Sequence, residues 1–544
     1  MNKIAVFSGL AAACLLSGCL EPPKAGKTSD TGVIYRHHFI GASALSQGTN
    51  ATKLKEVLTR PSTKKLGAEL AKKLAPAPRE YWTNHLPKKA RSGAEYIEPL
   101  LPDLYASESY IEARGALARP ECIIAVQLAD DRASVWDKHL KDLAAAWQLG
   151  KPAEMTGQKG WEIKRRDYPN KLQFVRAGKW VLLSFGSDKN PLSADGLQTL
   201  GKSGSPVKAL AANALLEFEA DLPRIAPGVP ALANRHLPPT QLTVFGRGEF
   251  IRTEAQLRYG QSLNWKFEPW RIPTNVIPDT IISFTAAQGL APLLSRIEGV
   301  TELGVKPTPN QIALWGIGDA QGQVFASVPV SNATNTIQRL AQSLPNVVLK
   351  HFPQVMGNFG WVSNRATILW QGLPFIVPYL QPIRSGSSDY VLFGMFPRVQ
   401  TSNAPPAELF GQLGDRKDLA YYDWEVTGQR VTHARQLVAL AHLINKRRVE
   451  ADTNHVGELW LRDVAEVLGP TVTEITVKSQ NELNLVRKSH IGFTGFELAA
   501  LSLWLESEHF PLRFELRPPV DKRPPNSVAP KPGGSSSPPA GTKR

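Results

Sequence analysis

The sequence of 544 residues carries a formal charge of +15 and only three cysteines. The charge is not spread over the chain: residues 20–91 hold 14 Lys/Arg against 5 Asp/Glu, residues 517–544 hold 6 against 1, and the 425 residues between them hold 42 of each sign. A body with no excess charge excludes a groove built to track phosphates, so no nucleic-acid partner is expected.

In chain order, the first element is "MNKIAVFSGLAAACLLSGC". One positive charge at Lys3 precedes an apolar run from Ile4 to Leu16, long enough for a secretory h-region and too short to span a bilayer. It ends in Leu16-Ser17-Gly18-Cys19, which resembles the lipobox of bacterial lipoproteins, L-[AS]-[GA]-C. The resemblance implies that residues 1–18 are a signal peptide and that Cys19 becomes the acylated first residue of the mature chain. Leu20 in place of Asp implies the outer membrane rather than the inner, on its periplasmic face. Cys14 would leave with the signal, so the body keeps only Cys122, inside the apolar run "CIIAVQL", where a buried thiol is expected.

Residues 19–94 read as a lipid-anchored basic spacer, with short Lys-rich helices over 53–74 broken at Pro61. The folded body is expected from Glu95. In "DDRASVWDKHLKDLAAAW" the residues Trp136, Leu140, Leu143 and Trp147 share one helical face. Strand pairs follow, "KLQFVRAGKWVLLSFG" turning at Ala177-Gly178, then "TQLTVFGRGEFIRTEAQLRYG". The motif "PECIIAV" at Pro120 recurs as "PDTIISF" at Pro278, and each leads into a helical pattern. The fold class is therefore α+β: duplicated domains of antiparallel hairpins backed by helices. The boundaries read as a first domain over 95–272, its repeat over 273–410, a C-terminal unit over 411–516, and a Pro/Gly/Ser-rich basic tail over 517–544 with the composition of disorder. With its Trp-marked strands, the body is similar to large bacterial envelope proteins of duplicated α+β domains, a likeness that implies no activity.

"GLQTLGKSGSP", Gly196 to Pro206, fits the phosphate-loop pattern G-x-x-x-x-G-K-[ST]. The preceding strand ends at Phe185, however, and Gly204, Ser205 and Pro206 make a poor helix opening after Lys202. It reads as a turn in a surface loop. Ser62-x-x-Lys65 and Ser205-x-x-Lys208 lack the companion elements of penicillin-interacting enzymes. His433 and His442 are nine residues apart, too far to share a metal. No catalytic residue, cofactor or metal is assigned. Trp265 and Trp270, in "LNWKFEPWRIP" between charges and prolines, are the one candidate recognition surface.

These readings converge on a non-catalytic envelope lipoprotein, a scaffold or binding module attached to the membrane through Cys19, its basic arms meeting anionic envelope polymers. The alternative is an envelope hydrolase of glycan or peptide whose dispersed site leaves no sequence trace.

Overall fold

Segments such as "FIRTEAQLR", Phe250–Arg258, alternate buried and half-buried side chains residue by residue, the period of a strand with one face in a core. The computed structural model describes residues 32–511, apart from 84–85, 117–118, 167–168, 187–190, 226–236, 278–280, 319–322, 352–355, 374–375, 397–406, 415, 445–454 and 508–509. Cys19 and the tail at 517–544 lie outside the described residues.

The first ten strands are β1 (Val33–Phe39), β2 (Ser109–Arg114), β3 (Glu121–Gln127), β4 (Ala153–Glu154), β5 (Lys159–Lys164), β6 (Lys171–Ala177), β7 (Trp180–Gly186), β8 (Ala214–Ala220), β9 (Thr240–Arg247) and β10 (Phe250–Arg258). The second ten are β11 (Ile281–Gln288), β12 (Gln311–Ile317), β13 (Val324–Val330), β14 (Asn358–Val362), β15 (Thr367–Gln371), β16 (Tyr379–Ser385), β17 (Ser388–Gly394), β18 (Leu419–Val426), β19 (Pro470–Ser479) and β20 (Glu482–Ser489). The helices of eight or more described residues are α1 (Thr52–Thr59), α2 (Pro61–Leu74), α3 (Asp130–Ala146), α4 (Pro191–Ser203), α5 (Ala333–His351), α6 (Thr427–Ile444), α7 (Val456–Ala465) and α8 (Gly495–Leu505).

All twenty strands among the described residues join one open antiparallel sheet, in the order β4-β5-β6-β7-β3-β2-β1-β8-β9-β10-β20-β19-β18-β11-β12-β13-β17-β16-β15-β14. Adding ten to each number of the first half reproduces the second half, read outward from the β10–β20 seam. Helix α3 after β3 has its counterpart in α5 after β13, and α4 between β7 and β8 in the short helix Ala407–Gly411 between β17 and β18. Antiparallel pairing of two equivalent strands is what a two-fold axis perpendicular to a sheet produces. The protein is a duplicated antiparallel α+β fold.

The duplication is real, but its register differs from the one the Pro-x-x-Ile-Ile motif suggests. Ile123-Ile124 lie in the third strand of the first half, Ile281-Ile282 in the first strand of the second. Both strands are central and buried, and that shared environment, not shared position, selects the same apolar run. The halves accordingly run 33–258 and 281–489 instead of dividing at 272 and 410. The segment 411–516 is no separate unit, because β18 pairs directly with β11.

The spacer expectation over 19–94 is also corrected, from residue 33 onward. Strand β1 is inserted between β2 and β8. Helices α1 and α2 bury Val57 and Leu66 against Val431, Trp460, Leu461, Val464 and Leu498 of α6, α7 and α8. Arg60 pairs with Asp463, Ser62 donates to the same carboxylate, and Trp460 donates to Thr63 Oγ1 at 3.1 Å. The N-terminal helices thus clasp the second half. Their lysines had masked a narrow apolar stripe that only a partner surface makes useful.

Helix α3 is the one expected, burying Trp136, Leu140 and Leu143 with Trp147 just beyond it. Its indole neighbours are tied to acids: Trp136 Nε1 donates to Asp103 at 2.8 Å and Trp161 Nε1 to Asp137 at 2.7 Å. A second core forms around Phe284, Trp315 and Phe325. Cys122 is buried, and burial together with Glu121 pushes its thiol up to about 12, so it is an inert core group. No helix among the described residues is long and apolar enough to cross a membrane.

Candidate functional site

Period-2 alternation puts Arg36 and His38 of β1 on one face, with Tyr110, Glu112 and Arg114 of β2 beside them. Direct pairing then fixes two rows: Arg36 stands between Glu112 and Glu219, and His38 between Tyr110 and Glu217. Gln241 and Thr243 of β9 extend the rows beyond Glu219 and Glu217. Helix α4 packs Leu192, Leu197 and Leu200 on Ile123, Ala125 and Leu182 at one edge of this floor. Between helix and floor opens a cleft of about 570 Å³.

The cleft is lined by both signs of charge. Arg36 pairs with Glu219, which also accepts from Gln241 Nε2 at 3.4 Å. Glu112, almost fully buried, accepts from the Tyr110 hydroxyl and from Arg114 Nε. Arg114 also lies 3.9 Å from Asp195 of α4. Glu217 accepts from the Ala211 amide at 3.3 Å, and His38 Nε2 sits 2.9 Å from Glu108. Burial, then the Glu112 charge, drives the Tyr110 phenol well above its ordinary value, so it stays neutral and donates. Burial opposes the Arg36 charge, but Glu219 and Glu112 leave its pKa raised. Among the described residues the cleft's hydroxyls are those of Thr199, Thr243 and Tyr110. Such a floor offers fixed donors and acceptors of both signs.

The phosphate-loop pattern falls at this rim, and its structure differs from the expected turn. Gly196, Gly201, Lys202 and Ser203 belong to helix α4. Their backbone N–H groups sit within the helix and not in an open cradle. Gly196 serves packing: a Cβ there would stand 2.9 Å from Ile123 Cδ1. Lys202 is exposed, as the surface reading requires.

Trp265 and Trp270 do not form an exposed pair. Both are half-buried in the link between the halves: Trp265 packs with Leu257, Leu263 and Leu485, Trp270 with the core around Trp315. Trp265 stacks on Phe267 at 5.8 Å, and Gly289, at φ +79°, leaves room for its ring. The charged and proline neighbours point outward while the indoles point in, which a string of letters cannot reveal. Conversely Trp361, in β14, is 42% exposed.

A second polar cluster escaped sequence reasoning. On the other face of the sheet, directly paired Thr285, Asp423, Thr473, Arg487 and Thr253 cross β11, β18, β19, β20 and β10, all buried. Arg487 binds Glu497 of α8 through both oxygens at 2.7 and 3.0 Å and donates to Thr473 Oγ1 at 2.9 Å. Glu497 closes a capping box with Thr494. Thr285 donates to Asp423 Oδ1 at 2.6 Å, and Gly495 N to Glu425 at 2.7 Å. Arg430 of α6 donates to Ser283 Oγ, lies 3.9 Å from Glu425, and stacks over Phe496 at 4.2 Å. Three carboxylates thus face two guanidiniums. Burial, then the Asp423 charge, raises Glu425 to about 8; burial raises Asp423 against the pull of Arg430 and Thr285. His433 beside them is lowered to about 4 by burial and Arg430, hence neutral. Buried under α6 and α8, this cluster joins the sheet to the helices. Glu298, Glu302 and His351 also converge, but they are surface groups and Lys350 pairs with both carboxylates.

No protein-family profile matches the chain, and neither a curated protein nor a solved structure matches it.

Proposed function

We propose that this protein is a non-catalytic binding module of the bacterial envelope, attached through lipid on Cys19, with the cleft beneath α4 as its ligand site. The observation that carries the reading is the engagement of the cleft's carboxylates: Glu112 and Glu219 are bound by arginines, Asp195 lies near Arg114, and Glu217 accepts a backbone amide. Groups so engaged hold a ligand of mixed charge or many hydroxyls, such as a peptide or glycan fragment of the envelope.

The anchor fits the charge distribution. Residues 32–91 hold 12 Lys/Arg against 3 Asp/Glu, and Lys64, Lys65, Lys72, Lys88, Lys89 and Arg91 are exposed. This basic surface starts 13 residues beyond Cys19 and is suited to anionic polymers or head groups next to the membrane. It belongs to the folded body and not to a loose arm.

Two measurements test the proposal separately. Cys19→Ala should leave an uncut precursor that takes up no labelled fatty acid; normal processing of that variant removes the anchor. Calorimetric titration of the full chain with peptide and glycan fragments of cell wall should show binding that Arg36→Gln weakens at least about tenfold, the worth of one charge-assisted pair. Turnover of any fragment would establish the hydrolase instead, and binding unaffected by Arg36→Gln would place the ligand elsewhere.

A further inference from the structure

A second cleft, of about 820 Å³, lies at the far end of the sheet between the turn Thr274–Val276 and strands β14 to β16. Direct pairing followed strand by strand from His38 to Gln381 never leaves one face, so both clefts open on the same side of the sheet. Their chemistry differs. The floor of the second is apolar, from Val276, Leu369 and Ile383, and among the described residues no Asp or Glu lines it. Its polar groups include Arg365, Arg384, Asn275, Asn364, Gln381, Thr367 and the Tyr379 hydroxyl. Among the described residues, neither guanidinium makes an ion pair. Arg365 ends a tight turn, Ser363–Arg365, closed by Ala366 at φ +46°, so its backbone is fixed and its exposed side chain projects from a rigid element. Asn275 donates to the Arg384 carbonyl at 3.1 Å, tying one wall to the other.

We propose that this cleft binds an acidic saccharide, a sugar ring bearing a phosphate or carboxylate. Two guanidiniums, with no carboxylate among the described lining residues, present forked donors that match an oxyanion. Carboxamides and a hydroxyl around an apolar floor match a ring with hydroxyls on its edge and C–H groups on its face. The volume falls in the range of small-ligand clefts, about 300–1,000 Å³. The site is independent of the cleft beneath α4.

Calorimetric titration of the full chain with glucose 1-phosphate, galacturonic acid, glucose and inorganic phosphate tests the proposal. Both acidic sugars should bind, phosphate more weakly, and glucose not measurably. Arg365→Gln and Arg384→Gln should each weaken the acidic sugars by about tenfold or more, as loss of a charge-assisted pair does, without lowering the melting temperature. Lys202→Ala, remote from the cleft, should bind as the parent does. Failure of both acidic sugars to bind, binding of glucose equal to theirs, or unchanged binding in the Arg365→Gln, Arg384→Gln double variant would each overturn it. Phosphate as tight as glucose 1-phosphate would overturn the saccharide and leave a bare anion site.

Discussion

The raised pKa of buried Glu425 makes stability depend on pH in a direction that ordinary acid denaturation would not produce. Glu425 is raised from 4.5 to about 8. The folded chain therefore keeps a proton that the unfolded chain loses above pH 4.5, and stability from this group falls with rising pH until about 8, then levels off. At 1.36 kcal/mol per unit, the full span is about 5 kcal/mol if Glu425 titrates alone. Buried histidines act oppositely at lower pH: His37 and His433, both lowered to about 4 from 6.5, withdraw stability as pH falls below 6.5. The window between 6.5 and 8 thus isolates the carboxyl, where about 1.5 units correspond to ~2 kcal/mol. Urea unfolding of the full chain at pH 6.5, 7.2 and 8.0 should show that loss. Glu425→Gln keeps an acceptor for the Gly495 amide and cannot ionise, so it should flatten the profile and exceed the parent at pH 8. A parent curve that is flat or rising through this window, or a variant with the parent's slope, would refute a buried proton on Glu425.

Other outcomes follow from the same contacts. Arg487→Met leaves Glu497 buried without its cation and should cost about 3–5 kcal/mol in chemical denaturation. Leu66→Ala, in the clasp between α2 and α7, should cost about 2–5 kcal/mol despite lying in a Lys-rich segment, whereas a loose spacer would give no change. Lys202→Ala should change stability by less than about 0.5 kcal/mol, and a magnesium-dependent rise in melting temperature with ATP would revive the phosphate loop.

Local chemistry was legible without coordinates. The helix at α3, the hairpins turning at Gly178 and Gly248, and the buried Cys122 each depend on neighbours within one or two turns of chain, so periodicity and turn residues suffice. Antiparallel α+β architecture followed from the same signals. What sequence could not supply was register between distant segments. The β3 and β11 motifs look alike because both strands are central, yet they occupy different places in the duplication. The basic N-terminal helices look like solvated arms until α7 covers Leu66. Trp265 and Trp270 look exposed until the link folds back on the sheet. Most of all, both clefts and the Thr285–Asp423–Thr473–Arg487–Thr253 ladder are built from residues up to hundreds of positions apart, each unremarkable alone. Hydrogen-bonded pairing between strands brings them side by side, and burial then converts one ordinary carboxylate, Glu425, into a group that holds a proton at neutral pH. That conversion depends on the local dielectric and the neighbouring charges, which exist only once the sheet has closed around them.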